Sequence, residues 1–155
     1  MLQEPWFGST VTRATQSWRV LYPDIYYEDK TTNLRSIILI NTNLSTDCYE
    51  QIQFHSTDVT GVRIKTGAGP VTLINVYNDC NHSATMDKIS AYLTRTFPDD
   101  HILDSKHLVM AGDFNRHPLG ARGPGTSDYM LRTLRSLVKF TWLVISDNIL
   151  GTFQM

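Results

Sequence analysis

The sequence predicts an α/β fold in a single domain, and three observations predict it. Arg35 to Asn41 and Val71 to Tyr77 are almost unbroken apolar runs, as strands buried on both faces require. Met86, Ile89, Leu93 and Phe97 recur at helical spacing between the second of these runs and a third, His107 to Gly112. Of the 155 residues, 41% are apolar and 19% charged, the composition of a globular protein rather than a disordered, fibrous or membrane one. That length can bury one core and is short for two.

The elements follow in order. Leu2-Gln3-Glu4 reads as the end of a strand, broken by Pro5. Arg35 to Asn41 is a strand with both faces covered. Tyr49 to His55 is a second strand. In Val59 to Lys65, Val62 and Ile64 face one way and Arg63 and Lys65 the other, which predicts a half-exposed strand. Gly67-Ala68-Gly69-Pro70 is a tight hairpin connection to Val71–Tyr77, a strand central to its sheet. The helix that follows is capped at its start by Ser83 or Thr85. Asp87 suits the positive end of its dipole, and Pro98 ends it. His107 to Gly112 is a buried strand running into Asp113, and a Gly- and Pro-rich loop covers Pro118 to Gly125. A second helix spans Ser127 to Phe140 with Leu131, Leu134 and Val138 inward and Arg132, Arg135 and Lys139 on a solvated face. Trp142 to Ile145 is a short strand, and Ser146 to Met155 has no assignment.

Charge and cysteine narrow the function classes. The net charge is -1, which excludes a histone-like polycation but not a nucleic-acid enzyme with unevenly placed charge. Residues 1–60 carry 4 basic and 7 acidic side chains, residues 61–110 carry 5 and 5, and residues 111–155 carry 5 and 3. The acidic part is therefore N-terminal and the mildly basic part C-terminal. Cys48 and Cys80 lack metal-ligand spacing and read as reduced thiols of an intracellular protein. The start has neither the basic nor the apolar region of a signal peptide, and Ile37-Ile38-Leu39-Ile40 is too short to span a bilayer.

Three segments carry residue types suited to chemistry. In Gly112-Asp113-Phe114-Asn115 a buried strand ends in a glycine, where a side chain would crowd a ligand or a neighbouring backbone. In extended chain Asp113 and Asn115 project to one face and Phe114 to the other, as an aromatic anchor. The carboxylate can orient a water or reach a metal, and the amide can donate to a phosphate oxygen. In Gln3-Glu4-Pro5-Trp6, Glu4 is a hard oxygen donor of the kind Mg²⁺ takes, with waters and substrate phosphate filling the other positions. In Asn75-Val76-Tyr77-Asn78-Asp79, Tyr77 closes a buried strand with its hydroxyl available to a phosphate. Asn78 and Asp79 read as turn residues. Each segment alone is equally at home as an ordinary strand end.

Together and in this order, Gln-Glu-Pro-Trp, Asn-Val-Tyr and Gly-Asp-Phe-Asn followed by Arg116-His117-Pro118 resemble the endonuclease/exonuclease/phosphatase superfamily. Within it, the chain most resembles the apurinic-type endonuclease domain of non-LTR (LINE-type) retrotransposons, from Leu2 to about Phe140. The resemblance implies a DNase I-like sandwich of two mixed sheets with helices outside. It also implies Mg²⁺-dependent (or Mn²⁺-dependent) phosphodiester hydrolysis that nicks double-stranded DNA, acting as a monomer, in the nucleus, in a reverse-transcriptase-associated context. Residue by residue, it implies that Glu4 binds the metal, that Asp113 orients the attacking water, and that Asn115 and Tyr77 contact the scissile phosphate. His117 lies in the DNA-facing stretch and is not the catalytic histidine.

The sequence also departs from the family. It lacks the upstream Asn-bearing strand, the downstream metal-associated Asp and the terminal Ser-Asp-His. Ser146-Asp147-Asn148 sits too soon after the second helix, and Asn cannot take a proton as His does. Residues 1–155 thus read as one domain of this family, incomplete at both ends. A non-catalytic, decayed or clipped fragment of such an endonuclease is the alternative expectation, and a phosphatase of the same superfamily is a further one. His55, His82, His101 and His107 show no partner pattern and read as structural or solvated.

Overall fold

The computed structural model describes residues 1–3, 5, 15–79, 82–96, 108–114 and 143–145. In chain order they form β1 (Leu2–Gln3), β2 (Trp18–Leu21), α1 (Ile25–Glu28), β3 (Ser36–Asn41), a 3₁₀ turn (Thr46–Cys48), β4 (Tyr49–Ile52), β5 (Val59–Ile64), β6 (Val71–Tyr77), α2 (Ala84–Thr96), β7 (Leu108–Asp113) and β8 (Leu143–Ile145). Among the described residues the fold is mixed α/β, with two sheets and few helices. One sheet has the order β1-β3-β2 and the other β4-β5-β6-β7-β8.

The apolar run after Arg35 becomes β3, the middle of the smaller sheet, paired antiparallel with β1 (Gln3↔Ser36) and β2 (Leu21↔Ile38). In the larger sheet β4, β5 and β6 are antiparallel neighbours. The hairpin between β5 and β6 forms as the sequence predicts: Gly69 donates to the Thr66 carbonyl at 3.1 Å, and its φ of 115° is a conformation glycine adopts at no steric cost. The β6–α2–β7 unit then brings β7 parallel to β6. β8 adds a second parallel neighbour through Met110↔Leu143.

Side-chain alternation gives the larger sheet two distinct faces. Val59, Ile74, Val76 and Met110 pack with Met86, Ile89, Tyr92 and Leu93 of α2, and Phe114 joins them. On the other face Val62 packs with Leu21, Ile38 and Ile40 of the smaller sheet, flanked by Ile64 and Leu73. The same seam carries a polar stitch. Thr60 Oγ1 donates to the Ser36 carbonyl at 2.9 Å, and Asn75 Nδ2 donates to Ser36 Oγ at 2.9 Å and to the Ile37 carbonyl at 3.0 Å.

Several expectations need correction. The predicted strand Tyr49–His55 stops at Ile52. His55 takes a φ of 47°, and the Asp24 carboxylate accepts its amide at 3.0 Å, so the chain turns out of the sheet. β5 is not half-exposed: Val59, Thr60, Gly61 and Val62 are all buried. Thr60 turns inward to a carbonyl, and Gly61 leaves room for the Phe54 ring, whose edge would lie 2.6 Å from a Cβ. At the start of α2 it is Ser83 that is engaged, its hydroxyl 2.7 Å from Asp87 Oδ2, whereas the Thr85 hydroxyl turns away to Asp58 at 3.0 Å. β2 and α1 have no counterpart in the sequence reading. The expected loop Pro118–Gly125 and helix Ser127–Phe140 lie outside the described residues. Among the described residues no helix is long and apolar enough to cross a membrane.

Candidate functional site

β6 and β7 are parallel and in register, and the last pair of that register is Tyr77↔Asp113. Two of the residues that the sequence singles out therefore stand side by side at the carboxyl ends of adjacent strands. The crevice beyond such ends is where open α/β sheets bind ligands. Alternation puts both on the face that meets the smaller sheet, because Asn75, two residues before Tyr77, bonds there. Phe114, next in sequence, is 2% exposed and lies in the α2-side core. It is thus the anchor that the alternation predicts.

Gly112 makes this pairing possible. It sits opposite Val76 with a φ of 151°, and a Cβ built on it would fall onto the Val76 carbonyl. The glycine is required by the approach of the neighbouring backbone. Beyond the register, the Asn78 amide donates to the Asp113 carbonyl at 2.8 Å, and Asn78 Nδ2 donates to the Phe114 carbonyl at 3.2 Å. Asn78 is buried. It does more than turn the chain: it bolts the end of β7 to the end of β6.

A charged network lies against Tyr77. Arg35, directly before β3, forms a two-pronged pair with Asp58, Nε to Oδ1 and Nη2 to Oδ2, both at 2.7 Å. Its Nη1 reaches Asp79 Oδ2 at 3.2 Å. The guanidinium carbon is 5.0 Å from the centroid of the Tyr77 ring, within cation–π range. Asp58 also accepts from the hydroxyls of Thr57 at 2.7 Å and Thr85 at 3.0 Å. Its main-chain carbonyl accepts the Tyr77 amide at 2.8 Å. Burial works against the Arg35 charge, but the bonds and attraction of Asp58, then of Asp79, outweigh it and raise its pKa above the ordinary guanidinium value.

Asp79, like Asn78, is therefore more than a turn residue. His82, which shows no partner pattern in the sequence, has Nε2 3.2 Å from Asp79 Oδ2. His55, an exposed side chain as the sequence predicts, has Nδ1 3.0 Å from Asp24 Oδ2. Beside the network is an open depression of about 220 Å³ whose lining includes Arg35, His55, Thr57, His82, Thr85 and Lys88.

The other two predicted site residues, Glu4 and Asn115, lie outside the described residues, as do Cys80, His101, His107 and His117. β1 ends one residue before Glu4. It runs antiparallel to β3, from Ile37 towards Ser36 and the Arg35 end, and it contacts β6 and β7. Among the described residues no group of three or more His, Cys, Asp or Glu is placed to hold a metal ion. Mg²⁺ needs only one or two carboxylates, with waters and phosphate completing its shell. Asp113 at the strand end is a donor of the right kind.

Arg35, Asp58 and Asp79 are the residues that sequence reasoning missed. Their signal was positional. Arg35 and Asp58 directly precede β3 and β5, Asp79 is the second residue after β6, and the antiparallel pairing of β5 with β6 brings Asp58 and Asp79 to one end of the sheet. No protein-family model, curated protein or solved structure matches the chain.

Proposed function

We propose that this chain is the catalytic end of a divalent-metal-dependent phosphodiesterase that nicks double-stranded DNA, an endonuclease of the kind found in non-LTR retrotransposons. One observation carries the reading: Tyr77 and Asp113 are paired in register at the carboxyl ends of two parallel strands. Hydrolysis of a phosphodiester needs an acceptor to orient the attacking water and a donor to the phosphate, held side by side. In this reading Asp113 accepts a hydrogen bond from the attacking water and aligns it in line with the leaving oxygen. The Tyr77 hydroxyl and the Asn115 amide donate to non-bridging phosphate oxygens. Glu4 would hold Mg²⁺, or Mn²⁺ in its place, and the bound ion would offset the charge that grows on the phosphate.

The two contacting sheets with α2 on the outer face of the larger one agree with a DNase I-like sandwich, the architecture this reading carries with it. Double-stranded DNA as substrate, gripped mainly through its phosphates, a single copy as the acting unit and the nucleus as its place of action come with the same resemblance.

Conversion of supercoiled plasmid to the nicked form in the presence of Mg²⁺ tests the proposal. Asp113→Ala is expected to slow nicking by about 10²–10⁴-fold, the usual worth of a positioned acid–base group. Equal nicking by the two proteins overturns it.

A further inference from the structure

We propose that Arg35 is a positioning residue for Tyr77: Asp58 and Asp79 fix its guanidinium so that it holds the phenol ring at the end of β6, beside Asp113. The inference rests on the reading of Tyr77 as a phosphate-contacting group. Its evidence is the closed circuit around the tyrosine. The Asp58 main chain receives the Tyr77 amide, the Asp58 carboxylate takes both prongs of Arg35, and the Arg35 guanidinium carbon lies over the Tyr77 ring, 5.0 Å from its centroid. The backbone and the ring of Tyr77 are thus both tied to Asp58, one directly and one through the arginine. A second tie, Arg35 Nη1 to Asp79 Oδ2, ends two residues beyond Tyr77 itself.

A purely stabilising role explains this circuit poorly. Two carboxylates largely drawn out of water to meet a half-buried guanidinium gain little over well-packed apolar side chains. What they supply is direction, because the planar guanidinium fork has one geometry on a carboxylate. A tyrosine at a strand end turns about two side-chain torsions, and a hydroxyl displaced by even an ångström loses its phosphate contact. Lysine would keep the charge but lose the planar fork.

The experiment uses the full 155-residue chain and pairs Arg35→Met with Asp58→Asn, so that no buried carboxylate is stranded if the single variant fails to fold. The first readout is the NMR ring signal of labelled tyrosine, with Tyr77 assigned by Tyr77→Phe. The Tyr77 signal is expected to move in the double variant while those of Tyr26 and Tyr27 stay. The second is plasmid nicking: kcat is expected to fall about tenfold with KM changed less than about twofold. Arg35→Lys is expected to recover part of the loss. In a Tyr77→Phe background the Arg35 and Asp58 changes are expected to cost nothing further. An unmoved Tyr77 ring, or losses that simply add to those of Tyr77→Phe, overturns the proposal. If the wild-type chain does not nick DNA, the phosphodiesterase reading fails by itself, and the ring signal still decides whether Arg35 positions Tyr77.

Discussion

The two faces of the five-stranded sheet are built on opposite principles. Towards α2 the interior is apolar: Ile74, Val76, Ile89, Leu93 and Met110 are each fully buried among other hydrocarbon side chains. Towards the smaller sheet the packing begins apolar at Ile38, Ile40 and Val62, then becomes polar as β6 nears its carboxyl end, first at Ser36, Thr60 and Asn75 and then at Arg35, Asp58 and Asp79. A hydrocarbon face is non-directional and tolerates small shifts. A hydrogen-bonded face has one register, because each donor must find its acceptor. The comparison teaches where each kind of packing belongs: the α2 face supplies stability, and the polar seam supplies alignment to Tyr77 and Asp113.

The largest effect is expected where both faces depend on one residue. Gly112→Ala puts a methyl group onto the Val76 carbonyl and demands a φ that side-chain-bearing residues rarely take. The β6–β7 pairing supports both faces at once, so the cost is expected to exceed about 4 kcal/mol. The check is urea unfolding, in which the variant is expected to lose the cooperative transition. A variant as stable as wild type would mean that the two strands separate without harm to either face.

Next come paired changes, one on each face. Leu93→Ala opens a cavity against α2 and is expected to cost about 2–5 kcal/mol, with nicking per folded molecule unchanged. Asn75→Ala removes the donor to Ser36 Oγ and to the Ile37 carbonyl and is expected to cost less, about 1–3 kcal/mol. Its effect on nicking is nevertheless expected to be the greater, because the start of β3, next to Arg35, keeps the Ser36 hydroxyl bond to the Asn75 carbonyl but loses both Nδ2 bonds to β6. Unfolding midpoints and nicking rates measured on the same preparations decide this. If Leu93→Ala harms the rate more than Asn75→Ala does, the assignment of roles to the faces is reversed.

The same contrast explains what could be read from the sequence. The apolar face announces itself: β3, β6 and α2 are legible because Ile37-Ile38-Leu39-Ile40, Leu73-Ile74-Asn75-Val76 and the Met86–Ile89–Leu93 spacing are hydrocarbon patterns. The polar seam does not. Thr60 and Gly61 look like surface residues in a pattern, yet one is buried by its bond to a carbonyl and the other by an aromatic ring. Tyr77 and Asp113 stood out only through their motifs, and the motifs say nothing of Arg35, Asp58 and Asp79. Those charges are 23 and 44 residues apart in sequence and meet only through strand register. β2 and α1 escaped notice for a different reason: at four residues each they are too short to show a period.

The smallest expected effect lies outside both faces and serves as their control. Asp29, after α1, is held below the ordinary carboxylate range by the Thr31 hydroxyl first and the Thr31 amide second, at 2.6 and 2.8 Å. A folded-state pKa below the unfolded one means that the unfolded chain binds the extra proton first. The stabilisation is therefore present above the ordinary aspartate value of 3.8 and fades as pH falls through the lower folded value. Thr31→Val removes the principal bond. The gap between the wild-type and Thr31→Val unfolding midpoints is expected to be small at pH 7 and to close as pH falls below about 4. The Arg35 guanidinium, with its pKa raised above an already high value, keeps its charge throughout that range. An acid-induced loss of nicking that follows the Thr31-dependent gap would tie the site to this exposed turn rather than to the buried seam. Independence of the two is the outcome that the polar seam requires.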